Sequence, residues 1–147
     1  VADADPDVAI KAYRAAANTG GERAVGVLVA RLGDGDLLQR DSLTTALATV
    51  GEPAVPALVA ALSSDDAVVR EHAAETLGHL GGPEADAAAP ALEALTSDAV
   101  PAVRLAAVAA LGQLAFAADE PLRRIADGDD PLLAQLASRF SEDREVA

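Results

Sequence analysis

Apolar residues recur along the chain at the spacing of an amphipathic helix, and the whole arrangement returns roughly every 30 residues. Four leucines mark equivalent places in this repeat: Leu28, Leu58, Leu92 and Leu122. Three arginines and one alanine each follow one of these leucines at a constant distance: Arg40, Arg70, Arg104 and Ala134. A period of this length is typical of solenoids of stacked two-helix units, in which no unit buries its apolar face alone. The pattern therefore predicts an all-α solenoid of about nine helices.

Each unit is predicted to contain a first helix, A, and a second helix, B. The A helices are predicted near residues 6–18, 36–50, 66–80, 100–115 and 130–140. The B helices are predicted near residues 22–32, 53–63, 87–96 and 119–126. Glycines mark the ends of A helices and prolines mark the starts of helices, as their backbone preferences favour. The third unit carries extra residues, GGPEADAAAP, whose two prolines predict a short turn or kinked lead-in before its B helix.

These helices predict a single domain over residues 1–147. Its units are expected at about residues 6–33, 34–63, 64–97 and 98–127, with a half-unit at 128–141. The half-unit has an A helix and no B helix, so an apolar stripe would be partly uncovered: Leu132, Leu133, Leu136 and Phe140. Either the stripe is a cap that is tolerated or used for self-association, or the natural protein continues past residue 147. The first residue is Val1, which suggests a piece of a longer chain.

Composition removes several classes of function. The chain is 51% hydrophobic but only 2% aromatic, so its core must be aliphatic. It has no cysteine, which excludes disulfides, a thiolate nucleophile and a cysteine-based zinc site. Apolar runs stay shorter than the roughly 18 residues of a membrane span, and no basic leader opens the chain. We expect a soluble, cytoplasmic protein that makes no membrane contact.

The charge is strongly acidic, with a formal net charge of -13 at pH 7. Binding to nucleic acid draws on clustered lysine and arginine, so a nucleic-acid partner is not expected. Lys11 is the only lysine, and this balance resembles proteins of salt-loving microorganisms, whose acidic surfaces repel themselves unless salt screens them. A GC-rich genome, which favours Ala, Gly, Asp, Arg and Val, is the alternative explanation.

Two segments carry a family resemblance: VVREHAAETLGHLG at residues 68–81 and AVRLAAVAALGQLA at residues 102–115. Each follows a B-helix segment, AVPALVAAL at 54–62 or APALEAL at 89–95. Over about residues 22–140 the chain resembles the HEAT-repeat superfamily, and most closely its short-repeat branch named after phycobilisome lyases. The resemblance implies a right-handed α-solenoid of HEAT-like two-helix repeats.

The same resemblance implies a structural ladder along the stack. In the family, an aspartate in the loop between units and an arginine early in the A helix form charge-assisted hydrogen bonds. The expected ladder residues are Asp34 with Arg40, Asp66 with Arg70, and Asp98 with Arg104. The middle pair departs from the six-residue spacing, because Ser64 stands in the aspartate slot and Asp65 and Asp66 lie beside it. Ala134 replaces the last arginine, so the ladder is expected to stop there.

Catalysis is the less favoured function. Deoxyhypusine hydroxylase is a HEAT-like enzyme that binds two irons through several His-Glu dipeptides, whereas this chain has the reversed Glu71-His72 and one further histidine, His79. Glu71, His72, Glu75 and His79 share one helix at spacings that a metal pair uses, but a solvated charged face is the simpler interpretation. Bilin lyase activity is an analogy of fold alone. We therefore expect no catalytic residue, no metal and no cofactor.

Protein binding remains as the leading function. In HEAT-like arrays the B helices line the concave face, and small residues flanked by arginines would form a shallow groove there for a helix or an acidic-edged loop. The outward B positions are Arg23, Val27, Arg31, Ala57, Ala60, Ala91, Ala94, Arg123 and Arg124. Alanine for tight packing and arginine for solubility would explain the same residues. The sequence thus predicts a non-catalytic scaffold or adaptor for another protein, or alternatively an accessory to a metal- or chromophore-handling enzyme.

Overall fold

Helices account for the regular structure of the described residues, apart from one isolated bridge between Gly82 and Leu114. The structure is a computed structural model that describes residues 5–114 and 117–146. In chain order the helices are α1 (Pro6–Thr19), α2 (Gly21–Val29), α3 (Leu37–Val50), α4 (Val55–Ala61), α5 (Ala67–Leu80), α6 (Gly82–Ala85), α7 (Ala89–Leu95), α8 (Pro101–Gln113), α9 (Asp119–Ala126) and α10 (Pro131–Val146). Short 3₁₀ turns at Glu52–Ala54 and Asp86–Ala88 lead into α4 and α7. The predicted all-α solenoid is confirmed.

The predicted A helices correspond to α1, α3, α5, α8 and α10, and the predicted B helices to α2, α4, α7 and α9. Helix α6 and the 3₁₀ turn after it form the lead-in of the third unit. Pro83 lies in the first turn of α6 and Pro90 in the first turn of α7, where a proline costs no hydrogen bond. Because two helices begin within eight residues of each other, α6 and α7 cannot form one continuous helix. This break is the kinked lead-in that the sequence predicted.

Glycine caps set a common register for the first three A helices. Gly20, Gly51 and Gly81 all have positive φ, between 57° and 77°, which favours glycine because it has no Cβ. Each donates its backbone N–H to the carbonyl four residues earlier, and these acceptors are Ala16, Leu47 and Leu77. Ala16, Leu47 and Leu77 therefore occupy the same place in their helices.

The core is a column of aliphatic side chains between the A and B helices. All four leucines of the B-helix repeat are completely buried: Leu28, Leu58, Leu92 and Leu122. The A helices bury Leu47, Leu77 and Leu111 against them. Helices α5 and α8 pack closely because Gly78 lacks a side chain; a Cβ placed there would lie 2.9 Å from the Cα atom of Ala110.

The stripe of the half-unit is only partly covered. Leu133 is buried in the core, and Leu136 and Phe140 pack against it while remaining partly exposed. The ring of Phe140 lies over Gly112, where any side chain would collide with it. Leu132 is 57% exposed.

Among the described helices, none is both long and apolar enough to cross a membrane by itself. The helical segments Leu37–Val50 and Glu52–Ala61 meet the length and composition requirements only as a pair, and they are bent by 113° relative to each other.

Candidate partner-binding surface

The outward positions of the B helices do not form one uniform groove. Ala57 and Ala91 are half-buried and pack against the core, whereas Ala60 and Ala94 are exposed on the next turn of their helices. Arg23 is exposed at the start of α2. In α4 and α7, one alanine thus packs against the core and the next is exposed on the surface. Any selectivity for a partner must therefore come from the two ends of the row of B helices, α2 and α9.

At one end, the two arginines of α9 lie in separate environments. The Nε and Nη2 atoms of Arg124 donate to the two carboxylate oxygens of Glu93 on α7, at 2.8 and 2.9 Å, and Nη1 lies 3.1 Å from Glu120. The hydrogen bonds with Glu93 raise the pKa of Arg124. Arg123 lines a small crevice of about 110 Å³ with Asp119 and Arg144. Arg124 therefore ties neighbouring B helices together, and its charge is already balanced by acidic groups.

At the other end, Val27 and Arg31 line an apolar groove between α1 and α2. The groove has a volume of about 200 Å³, and its remaining lining residues are Val8, Ala9, Ala12, Tyr13, Ala16 and Leu28. Val8 and Val27 are 56% and 55% exposed, so the groove opens to solvent. Apart from Arg31, just after α2, all of its lining belongs to α1 and α2. Sequence reasoning found Val27 and Arg31 but missed the α1 wall, although alanine in the leucine slot at Ala16 was a visible signal.

The ladder connects successive units in a different pairing from the one expected. Arg70 donates from Nε and Nη2 to the carboxylate of Asp98 in the next unit, at 2.8 and 3.0 Å, and from Nη1 to the carbonyl of Ser64 at 2.8 Å. These hydrogen bonds lower the pKa of Asp98 and raise that of Arg70. Asp66 instead caps α5 by accepting the Val68 N–H at 2.9 Å. The six-residue spacing is the distance along the chain from Arg70 back to the backbone carbonyl of Ser64. The carboxylate that Arg70 binds, that of Asp98, comes from the next unit.

The neighbouring rungs are weaker than this one. Arg104 donates to the Asp98 carbonyl at 2.9 Å but lies 3.9 Å from Asp130. Asp34 is 3.8 Å from Arg31, and both side chains are more than half exposed. The expected pairs of Asp34 with Arg40 and Asp98 with Arg104 through their carboxylates therefore do not describe the ladder.

Arg40 has an incomplete rung. Its Nε and Nη2 atoms, the edge with which Arg70 holds Asp98, are buried and have no hydrogen-bond partner among the residues described. The nearest carboxylate is that of Glu75, 3.5 Å from Nη2. Ser64 occupies the slot that Asp98 fills one unit later, and its shorter side chain supplies no carboxylate. The missing aspartate noticed in the sequence thus has its consequence one unit earlier, at Arg40.

His72 departs from the expected solvated face. Its side chain is completely buried: Nδ1 accepts the Gly33 N–H at 3.0 Å, and Nε2 lies 3.1 Å from the carbonyl of Arg40 and 3.0 Å from the Thr44 hydroxyl. Burial first, and then the charge of Arg40, lower its pKa to about 4. Because Gly33 donates to Nδ1, the ring is neutral with its proton on Nε2. His72 therefore joins α5 to the loop after α2 and is not available as a metal ligand.

Glu71, Glu75 and His79 do share a crevice between α3 and α5, which also contains Arg40 and Asp41 and measures about 400 Å³. Burial raises the pKa of Glu75, with a smaller contribution from Glu71, while Arg40 acts against this shift. Over residues 5–114 and 117–146, no three His, Cys, Asp or Glu side chains lie close enough together to hold a metal ion. The crevice thus contains one carboxyl group of altered acidity, Glu75, which lies 3.5 Å from Arg40.

Comparison with known proteins gives a family and a fold. The family model described as HEAT repeats matches residues 1–78, 38–112 and 55–141. A structure of human deoxyhypusine hydroxylase in complex with glycerol is similar, with 29% identity, a TM-score of 0.61 and coverage of 84% of this chain. A structure of the CpcE and CpcF complex of phycocyanin lyase from a Nostoc species is also similar, with 23% identity, a TM-score of 0.61 and coverage of 92% of this chain and 90% of that one.

The chain spans 45% of the deoxyhypusine hydroxylase chain that it matches. The likeness to the phycocyanin lyase structure shows the fold alone. No curated protein matches the sequence at a significant level.

Proposed function

Because this chain belongs to the HEAT-repeat family, we propose that it is a non-catalytic scaffold that binds another protein on the side of its B helices, at the groove where α2 meets α1. The observation that carries the proposal is the groove beside Val27 and Arg31, which is lined by apolar side chains apart from Arg31 and opens to solvent. Apolar clefts with a charged rim are the usual form of a protein-docking site. The proposal places the docking end of the B-helix row at α2.

The similar phycocyanin lyase structure supports a role in an assembly, since it is a complex of CpcE with CpcF. A scaffold of this kind binds its partner through surface shape and a few anchoring side chains, with no reacting group required. In this proposal Arg124 of α9 supports the stack, because it already holds Glu93 of α7.

Affinity capture from the lysate of the source organism tests the proposal. Molar potassium chloride in the buffer screens the repulsion within a chain of net charge -13. The wild-type chain is expected to retain a stoichiometric protein, Arg31→Glu to lose it, and Arg123→Glu to retain it. Both arginines are exposed, so neither variant should change the melting temperature. Failure of the wild-type chain to retain any protein reproducibly contradicts the scaffold role.

The likeness to deoxyhypusine hydroxylase favours a second candidate, an accessory to a metal- or chromophore-handling enzyme. Both ring nitrogens of His72 are occupied within the protein, which leaves His79 as the other histidine of the chain. Elemental analysis and visible absorption of the protein purified from its source organism distinguish the candidates. Stoichiometric iron or a bound pigment would favour the accessory, whereas their absence together with a captured protein would favour the scaffold.

A further inference from the structure

The groove between α1 and α2 exists because the first unit has an alanine, Ala16, at a position where later units have leucine. Ala16 occupies the place of Leu47 and Leu77, which are both completely buried in the core. One turn earlier, Ala12 takes the place of Leu43 in α3, although α5 also has an alanine there, Ala73. Because Ala16 lacks the outer side-chain atoms of leucine, a hollow remains between α1 and α2. In later units the leucine at the same position of the A helix fills this space.

The hollow has the form of a helix-binding site. Its walls are two packed helices, and a cleft between such helices accepts ridges of side chains spaced three or four residues apart on a third helix. Val8 and Val27 stand exposed on opposite walls, and Tyr13 lines the floor beside Ala12 and Ala16. An amphipathic helix placed there would bury this exposed apolar surface.

The charge around the groove favours an acidic amphipathic helix over a basic one. Residues 5–32 carry four cationic and three acidic side chains, whereas residues 33–146 carry seven cationic and twenty acidic ones. Arg31 lies on the rim of the groove, and its contact with Asp34 is long and half exposed. A cationic helix would be drawn to the acidic units, whereas a carboxylate beside the groove finds its nearest complement in Arg31.

Building on the proposed function, we propose that this groove binds an acidic amphipathic helix of a partner protein, with aliphatic side chains over Ala12 and Ala16 and a carboxylate paired with Arg31. The interaction needs no change in the described helices, because the hollow is already open. Ala16→Leu supplies the missing side chain from within, so it should close the site while leaving the fold intact or stabilised. Ala15→Leu, at an exposed position on the same helix outside the groove, is the matched control.

The test is selection from a displayed library of 16-residue helical peptides free of tyrosine and tryptophan. The library is selected on the wild-type chain and counter-selected on Ala16→Leu, and binding is measured, at about 0.1 M salt, where the charge of Arg31 is only partly screened. Enriched peptides are expected to carry aliphatic residues at i and i+4 and Asp or Glu at one end. A charge-reversed copy of the best peptide, with Lys in place of its acidic residues, serves as the second probe.

Binding is then measured through Tyr13. It is the only tyrosine in a chain without tryptophan, so its emission reports directly on the groove. The best acidic peptide should change this emission in the wild type and in Ala15→Leu with the same dissociation constant. Ala16→Leu and Arg31→Glu should each weaken binding at least tenfold, as should the charge-reversed peptide.

Three results would overturn the inference. The first is enrichment of basic or charge-neutral helices, and the second is binding of the best peptide to Ala16→Leu as tightly as to the wild type. The third is concentration-dependent self-association in sedimentation equilibrium that Ala16→Leu abolishes, because it would identify a second copy of the chain as the occupant. Retention of a captured protein by Ala16→Leu would refute the groove while leaving the scaffold role intact, so the two proposals fail separately.

Discussion

Acidification should destabilise the stack through His72. The ring is buried and neutral, and its Nδ1 atom accepts the Gly33 N–H at 3.0 Å. If Nδ1 were protonated, its N–H would face the Gly33 N–H, and neither donor would have an acceptor. The ring would also become a second positive charge beside Arg40. Protonation therefore requires His72 to release the loop that joins α2 to α3.

The size of the effect follows from the pKa of His72, which falls from its ordinary value of 6.5 to about 4 in the folded chain. As the pH falls through 6.5, the unfolded chain binds a proton that the folded chain does not bind, so the free energy of unfolding decreases. The loss continues until the folded ring is itself protonated near pH 4. At about 1.4 kcal/mol for each unit of pKa, the free energy of unfolding decreases by about 3 kcal/mol over this window.

Urea unfolding followed by far-ultraviolet circular dichroism, repeated from neutral pH to about pH 4, measures the effect. His72→Asn keeps an acceptor toward Gly33 and does not titrate. His79→Asn removes the exposed histidine at the other end of the same helix and serves as the matched control. The wild type should lose about 3 kcal/mol relative to His72→Asn as the pH falls, because these two chains share all other titrating groups. His79→Asn should follow the wild type, because it keeps the buried His72 and its contact with Gly33.

Parallel pH profiles for the wild type and His72→Asn would refute the reasoning. They would mean that the ring accepts a proton in the folded chain as easily as in the unfolded one. A shallower loss in His79→Asn than in the wild type would place the effect at His79 and outside the contact of His72 with Gly33.

Ser64→Asp supplies the carboxylate that Arg40 lacks and should raise the melting temperature by about 3 °C. Asp98→Ser removes the carboxylate that Arg70 binds and should lower the melting temperature by about as much. Equal and small shifts in both variants would contradict the ladder. Gly78→Ala should decrease the free energy of unfolding by about 2 kcal/mol in urea, because its methyl group meets the backbone of the adjacent helix, while Gly26→Ala, with open space around it, should be neutral or stabilising. Molar potassium chloride should raise the melting temperature by screening a net charge of -13, and a lower value would oppose that explanation.

The repeat could be predicted from sequence because it depends on local patterns. Buried leucines such as Leu28 and Leu58 recur at one period, and glycines such as Gly51 and Gly81 end the A helices, so the helix order follows directly. Neither feature needs knowledge of which side chains meet across the stack.

Contacts between units were harder to predict because they join residues whose distance along the chain is set by packing. Arg70 reaches Asp98 in the next unit, and His72 reaches back to Gly33, 39 residues earlier. A histidine flanked by glutamates is typical of an exposed helix face, and only the packing of α5 against α3 shows that His72 points inward. The groove was missed for a related reason: in an alanine-rich chain, Ala16 stands out as an empty leucine slot only when the A helices are aligned on their capping glycines.

Hydrogen-deuterium exchange of the free chain and of the chain bound to its captured partner locates the binding surface. A partner that docks in the first-unit groove should slow exchange in α1 and α2, around residues 8–31, and leave α8 to α10 unchanged. Protection confined to α9 and α10, or to the outer faces of α3 and α5, would contradict docking at the groove and would move the partner site to another part of the stack.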